Sequence, residues 1–169
     1  MRTKEGGCLP GGDRCQHDSF VKDDVGMVAW RGFLTAHARV VGRLEEELER
    51  ERDLPLSWYD VLVQLQEANH HRLRMTELAG AVLLSKSGLT RLVDRMCVAG
   101  LVERCADAGD RRGRWVILTE AGHARLRDAA TVHLRGVREH FIGLLSPEDA
   151  AHLAEVFATI VEHAALHRR

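Results

Sequence analysis

Apolar residues recur at three- and four-residue steps along most of this chain, which is the spacing of an amphipathic helix. Two short segments instead favour strands, at residues 101–105 and 115–118, and a polar turn separates them. The first predicted helix covers roughly residues 20–52, and the second begins at Ser57. The other predicted helices cover residues 77–82, 86–99, 120–144 and 147–167. The pattern therefore predicts a mainly α-helical protein with one small β-ribbon.

Residues typical of helix ends support these boundaries. Pro55 ends the first helix, and Gly100 follows the fourth helix where a left-handed residue is expected. The predicted N-terminal caps are Ser57 with Asp60 as its capping-box partner, Thr76, Ser85, Thr119, and Ser146 with Pro147 at the first helical position. Two short helices, a tight turn and a ribbon in this order predict a winged helix-turn-helix.

Composition narrows the class of protein. The 169 residues include 24 Lys and Arg against 25 Asp and Glu, which argues against a purely electrostatic binder of polyanions. Only 5% of residues are aromatic and three are proline, so a β-sandwich or barrel is not expected. There is no run of about 18 apolar residues, so we expect no membrane-spanning helix and no membrane partner. The glycine-rich segment 1–18 reads as a flexible tail rather than a secretory signal.

The predicted helix at residues 86–99 has two distinct faces. Leu89, Leu92, Val93 and Met96 fall on one face, which we expect to enter the core. The opposite face is short-chained and polar near its start, with Lys86, Ser87, Gly88, Thr90, Arg91 and Arg95 following the predicted cap Ser85. Small donors and arginines in this arrangement suit a helix that enters the DNA major groove. A plain solvated helix face is the alternative.

The polar turn between the two strands favours the DNA interpretation. Segment 85–114 holds seven Lys and Arg against four acids, although the whole chain carries a net charge of −1. The turn residues Arg111, Arg112 and Arg114 are suited to the minor groove beside a major-groove contact. The alternative, a hairpin tip with internally paired charges, stays open for Arg114.

Five segments of the chain closely resemble the MarR (multiple antibiotic resistance regulator) family. They are residues 73–79, 85–96, 99–104, 107–113 and 116–122. A specific signature of the family is the wing sequence Asp110, Arg111 and Arg112, followed by leucine, threonine and glycine in the next strand and helix. The resemblance extends from Leu56 to about Leu126, and the flanking helices match only in order and length.

The resemblance implies a homodimeric transcription regulator, with a helical dimerisation region at 19–55 and 120–169 and a winged DNA-binding domain at 56–119. It also implies that Lys86, Ser87, Thr90 and Arg91 contact bases or phosphates, that Arg112 enters the minor groove, and that Asp110 orients the wing. Arg95 is then a phosphate contact or the partner of Asp110. The implied dimer interface consists of Val28, Phe33, Leu34, Val41, Leu153, Val156, Phe157 and Ile160. A first helix of about 45 Å is too long for one small domain to cover, which agrees with a dimer.

Regulators of this family respond to phenolic ligands, urate, metals or oxidants through a cleft between the helical region and the winged domain. The corresponding candidates here are Trp30, His37, Trp58, Tyr59 and Asp60, each of which has packing or capping as its alternative role. Leu92 stands where the urate-responsive branch has an arginine, which argues against urate.

Cysteines and histidines offer further sensing chemistry. The four cysteines form no C-x-x-C pair, and reduced thiols in a cytoplasm are the expectation. We expect buried structural thiols at Cys97 and Cys105, and tail thiols at Cys8 and Cys15. His163 and His167 have a spacing that can share a metal, but only Glu162 is a nearby carboxylate, and His133 and His140 are too far apart to chelate unaided. No metal site and no cofactor is predicted.

Nothing in the sequence supports an enzyme, because it contains no nucleotide-binding, metalloprotease or nucleophile-elbow motif. The leading hypothesis is a cytoplasmic, sequence-specific, double-stranded DNA-binding repressor whose homodimer responds to a small-molecule effector. The alternatives are a winged-helix protein-interaction module without specific DNA binding, and a redox-responsive regulator that uses cysteine.

Overall fold

The computed structural model describes residues 24–82, 86–106 and 114–166, with the backbone alone at Lys86 and Ser87. Helices dominate this part of the chain. The elements are α1 (Val25–Arg52), α2 (Leu56–Glu67), a 3-10 turn (Asn69–His71), β1 (Arg72–Arg74), α3 (Met75–Ala81), α4 (Lys86–Val98), β2 (Val102–Ala106), β3 (Arg114–Leu118), α5 (Glu120–His140), a second 3-10 turn (Ile142–Leu144) and α6 (Pro147–Leu166). The predicted mainly helical class is confirmed.

The three strands form one antiparallel sheet in the order β1-β3-β2. Strands β2 and β3 pair as the two arms of a hairpin, from Val102 opposite Leu118 to Ala106 opposite Arg114. Strand β1 adds to the other edge of β3, with Leu73 opposite Val116. A helix pair followed by this hairpin is the predicted winged helix-turn-helix, and the prediction is confirmed.

Strand β1 was not predicted from the sequence. It is only three residues long, and its alternation of Arg72, Leu73 and Arg74 is too short for a period of two to be recognised. Its position depends on tertiary pairing with β3, so the strand is specified by contacts distant in sequence.

The core joins the C-terminal part of α1 to the winged domain. Leu48, Leu62, Leu65 and Leu78 are almost completely buried, and they lie on α1, α2 and α3. Helix α4 contributes Leu89, Leu92, Val93 and Met96, all at most 4% exposed, so the predicted apolar face of this helix is confirmed. Each such side chain contributes about 1.5–3 kcal/mol of burial free energy.

Several predicted helix ends are confirmed. Thr119 precedes α5 and its Oγ1 accepts a hydrogen bond from the Gly122 amide at 3.0 Å. Ser146 precedes Pro147, and its Oγ accepts from the Asp149 amide at 3.1 Å. Gly100 has φ of 72°, the left-handed conformation expected after α4. Helix α4 begins at Lys86 as predicted, although its predicted cap, Ser85, lies outside the described residues.

Two predicted caps are wrong. Helix α2 begins at Leu56 and not after Ser57, because Leu56 is buried in the core and Pro55 supplies the carbonyl that accepts from the Trp58 and Tyr59 amides. Asp60 therefore lies inside the helix and is not a capping-box partner. Helix α3 begins at Met75, so Thr76 lies within its first turn.

Glu77 stabilises the start of α3 in place of the predicted Thr76 cap. Its carboxylate accepts a hydrogen bond from the Arg74 amide at 2.7 Å. The end of α5 was also predicted too late, since the α-helix stops at His140 and residues 142–144 form the second 3-10 turn.

The chain divides into two compact units, Met1–Arg39 and Val40–Arg169. In the first unit, the described residues are 24–39, and the predicted interface residues Val28, Phe33 and Leu34 are 56%, 43% and 45% exposed. In the second unit, α6 has no buried residue over its 20 positions, although its composition is apolar. Both units therefore expose apolar helix surface within a single chain.

Among the described residues, no helix is both long enough and apolar enough to cross a membrane.

The close approach of α5 to the end of α4 requires glycine at position 122. A Cβ atom at Gly122 overlaps the Leu101 carbonyl oxygen and lies 2.6 Å from Leu118 Cδ1. We expect Gly122→Ala to lower the free energy of unfolding by about 1–3 kcal/mol, because the backbone at Leu101 must move. Gly80→Ala is the matched control, since Gly80 is helical and has no atom within 4 Å of such a Cβ. The control should be neutral or stabilising by up to about 1 kcal/mol. Chemical denaturation measures the free energy of unfolding of both variants. Equal stability of the two variants would contradict the close packing of Gly122 against Leu101.

Candidate nucleic-acid interface

Helix α4 presents a polar face to solvent because its apolar face is fixed in the core. Thr90, Arg91, Asp94 and Arg95 are all exposed, on the side opposite Leu89 and Val93. Gly88 is half-buried near the start of the helix. The candidate residues Thr90, Arg91 and Arg95 therefore lie on the exposed face of α4 that was predicted to contact DNA.

Arg104 connects the wing strand β2 to helix α4. Its guanidinium donates to Asp94 Oδ1 at 2.5 Å and to the Thr90 carbonyl oxygen at 3.1 Å. Both partners belong to the exposed side of α4, so the ion pair fixes the base of the hairpin against this helix. The sequence did not reveal this pairing, because Arg104 and Asp94 are ten positions apart.

The wing candidates divide between described and undescribed residues. Arg114 is exposed at the first position of β3, where it pairs with Ala106 across the hairpin. The remaining wing candidates, Asp110, Arg111 and Arg112, lie outside the described residues, as does Ser85. The side chains of Lys86 and Ser87 also lie outside them. The predicted roles of these six residues stay predictions.

A cluster of two arginines and an indole lies on the sheet beside the hairpin. The Arg72 guanidinium is 4.7 Å from the centre of the Trp115 ring, and that of Arg74 is 5.2 Å from it. Arg74 lies directly opposite Trp115 in the pairing of β1 with β3. Sequence reasoning missed these residues because it missed β1, whose three residues are too few to show a period of two. Cation–π contacts position both cations at the sheet surface.

The predicted effector residues fall in the two separate units. In the first unit, Trp30 stacks against Phe33 with ring centres 6.0 Å apart, and His37 lies 6.1 Å from Phe33 on its other side. In the second unit, Trp58 packs against the core and Asp60 lies at the surface of α2. Desolvation raises the pKa of the Asp60 carboxyl.

Tyr59 is the most buried of the effector candidates, at 6% exposed, and it contacts α5. Its ring centre is 4.3 Å from that of His133, whose Nδ1 is buried without a hydrogen-bond partner among the described residues. Burial lowers the pKa of His133 and raises that of Tyr59, so both side chains are neutral near pH 7. This pair packs α2 against α5, which is the alternative role considered for Tyr59.

A small groove lies between α3 and α4. It measures about 150 Å³ and is lined by Met75, Thr76, Ala79, Leu89 and Thr90. None of the five effector candidates lines it, and its volume is below the roughly 300 Å³ typical of small-molecule sites.

The described cysteines offer little support for a redox switch. Cys97 is half-buried, and desolvation raises the pKa of its thiol, which disfavours the reactive thiolate. Cys105 is exposed, so the prediction of a buried thiol there is wrong: its position on β2 pairs with Trp115 on the solvent-facing side of the sheet. Cys8 and Cys15 lie outside the described residues.

Comparisons with known proteins agree with this architecture. A sequence profile of the MarR family matches residues 52–113. The crystal structure of AbsC, a MarR family transcriptional regulator from Streptomyces coelicolor, is similar at 39% identity and a TM-score of 0.78, covering 84% of this chain and 95% of AbsC. Sco3205 from the same organism, crystallised in complex with DNA, has 34% identity and a TM-score of 0.76, covering 80% of this chain and 85% of that one. The transcriptional repressor MprA of Escherichia coli is 34% identical over 67 residues, which cover 40% of this chain and 38% of MprA.

The fold and the polar face of α4 define a winged-helix protein with the plan of a transcriptional regulator. With its similarity to AbsC over nearly the whole of that protein, the chain belongs to the MarR family of transcriptional regulators. This confirms the family resemblance stated from the sequence. The family and the relatives are regulators and not enzymes, which confirms that exclusion as well.

The exposed arginines of α4 predict a charge-dependent interaction with duplex DNA. We expect Arg91→Ala to weaken DNA binding and to lower the slope of log affinity against log salt by about one, because one phosphate-directed cation is lost. Arg127→Ala is the matched control, since Arg127 is an exposed arginine on α5 whose carboxylate partner, Glu120, is 3.9 Å away. Fluorescence anisotropy across a salt series measures both slopes. Equal slopes for the two variants would contradict the assignment of this face.

Proposed function

We propose that the chain is a sequence-specific double-stranded DNA-binding transcriptional regulator that acts as a homodimer on a palindromic operator. The observation that carries the proposal is the exposed face of α4, whose polar residues stand beside a hairpin anchored through Arg104. A helix with short polar side chains and arginines fits the major groove, and arginines near the hairpin reach the flanking backbone or minor groove. The similarity to Sco3205, which was crystallised with DNA, supports this function.

The homodimer is inferred from apolar surface that a single chain does not cover. On α6, Val156 and Ile160 are 39% and 57% exposed, and Val161 is 67% exposed. In the first unit, Val28, Phe33 and Leu34 are also exposed. Such contiguous surfaces mark interaction sites, and a second copy of the chain offers the same two surfaces in return. We therefore assign dimerisation to regions 19–55 and 120–169, and DNA binding to 56–119.

Repression and ligand control form the finer part of the proposal. Similarity to the repressor MprA over 67 residues favours repression. Repression would take place in the cytoplasm, where the DNA lies. An effector that binds near Trp30, His37, Trp58, Tyr59 or Asp60 would favour one separation of the two recognition helices over another. The two helices could then no longer occupy successive major grooves. This mechanism requires a ligand with different affinities for the two dimer shapes.

Selection from a random pool of duplexes tests the function directly. We expect the purified protein to enrich a palindrome whose half-sites lie about one helical turn apart, because a two-fold dimer places its two α4 helices at that spacing. The enriched duplex should bind roughly 10³-fold or more tightly than a scrambled duplex at the same salt concentration.

Two results would contradict the proposed function. Weak, salt-dependent binding without enrichment would leave only a non-specific electrostatic surface. Absence of duplex binding would favour the protein-interaction module instead. A parallel selection with the Arg91→Ala variant shows what Arg91 contacts. If Arg91 reads a base, its loss changes the enriched sequence; if Arg91 contacts a phosphate, its loss weakens binding to all sequences equally.

A further inference from the structure

A group of metal-ligating side chains lies where α1 packs against the end of α5, away from the candidate nucleic-acid interface. Glu47 on α1 and Glu139 and His140 on α5 each offer one ligand atom, and these atoms lie within 4.8 Å of one another. Two ligands of one zinc ion, each about 2 Å from the metal, are separated by at most about 4 Å. Small adjustments of the three side chains, on the order of an ångström, would therefore bring the donor atoms to bonding distance from one ion.

Glu47 is the central member of this group and is held against α5. Its side chain is 14% exposed, and its Oε1 is 2.7 Å from His140 Nε2. Its second carboxylate oxygen, Oε2, is buried and has no hydrogen-bond partner among the described residues. A buried carboxylate oxygen without a hydrogen-bond donor is unfavourable, so a cation bound at this atom would stabilise it.

Gly136 on α5 creates the space that the Glu47 carboxylate occupies. A Cβ atom at this position lies 2.6 Å from Glu47 Oε2 and 2.7 Å from Leu44 Cδ2. Glycine therefore allows the carboxylate to approach the α5 backbone one helical turn before His140. The pocket for the carboxylate is built into the packing of α1 against α5.

Arg135 does not provide the missing hydrogen-bond donor for Glu47 Oε2. Arg135 donates to Glu51 Oε1 at 2.7 Å, and Glu51 also accepts from Arg50. The hydrogen bond to Glu51 raises the pKa of Arg135, and the charges of Glu47 and Glu139 raise it further, so this cation lies near the group but bonds elsewhere. Within the described residues, neither Glu47 nor Glu139 forms an ion pair with an arginine, so a bound metal ion would not have to displace one.

We infer that Glu47, Glu139 and His140 form a binding site for a divalent transition-metal ion of the zinc type. Imidazole together with carboxylates is a donor set for such ions, whereas calcium and magnesium prefer oxygen donors alone. The ion would replace the proton between Glu47 and His140 and would cross-link α1 to α5. The site is independent of DNA binding and of the effector candidates.

Titration calorimetry of the full-length, metal-free protein with Zn²⁺ tests the site. We expect one ion per chain at this site and no comparable binding of Ca²⁺. Replacement even of residues that only orient metal ligands weakens affinity by roughly 10- to 100-fold, so Glu47→Gln and His140→Gln should each weaken zinc binding at least as much. Glu49→Gln and His152→Gln are the matched controls, because Glu49 is exposed on α1 and His152 is exposed on α6. Both control variants should bind zinc as tightly as the parent protein.

Co²⁺ provides a second measurement that separates this site from the cysteines. Co²⁺ bound at this site should give d–d absorption without a thiolate charge-transfer band. Glu139→Gln changes an exposed side chain and leaves the core intact, and it should weaken Co²⁺ binding. Circular dichroism checks that each variant is folded. If Glu47→Gln does not fold, the zinc affinities of Glu139→Gln and His140→Gln test the site without it. Unchanged zinc affinity in these variants overturns the site. So does a thiolate band, equal affinity for Ca²⁺, or no saturable zinc binding below millimolar concentration.

Discussion

The burial of one face of α4 is the constraint on which the proposed function depends. Leu89, Val93 and Met96 have no exposed surface, so the helix has a single orientation in the winged domain. Rotation of this helix would expose apolar side chains and bury Arg91 and Arg95, at a cost of several kcal/mol. Because the orientation is fixed, the polar residues face outward as a set. The Arg104 bond to Asp94 then holds the β2–β3 hairpin against the same helix.

Much of this arrangement could be predicted from the sequence, because it follows from local periodicity and capping chemistry. The helical spacing of Leu89, Leu92, Val93 and Met96 identified the buried face, and Thr119 and Ser146 identified two helix starts. The wrong predictions arise where tertiary contacts decide. The buried Leu56 moved the start of α2 ahead of Ser57, and β1 exists through its pairing with β3. The contact of Arg72 and Arg74 with Trp115 and the group formed by Glu47 and His140 join residues distant in sequence, which one sequence alone does not pair.

A second feature of the molecule is the amount of apolar surface outside its core. Helix α6 has no buried residue, and the described part of the first unit exposes Trp30, Phe33 and Leu34. These surfaces lie in the regions proposed for dimerisation, whereas Leu89, Met96 and Val116 of the winged domain are completely buried within one chain. The proposed metal site lies at the packing of α1 against α5, between helices of the same proposed dimerisation regions. Recognition of DNA and control of the dimer would then use different parts of the chain.

The mass of the complex with a single palindromic duplex tests the central claim most directly, because two-fold recognition requires two copies of α4 on one site. Light scattering with a duplex selected by the protein should give two chains per duplex across a range of protein concentrations. Ile160→Glu, which places a charge on the apolar surface of α6, should reduce the free protein to a monomer and weaken the complex. A stable complex of one chain per duplex, with the same affinity in the parent and the Ile160→Glu variant, would contradict the account.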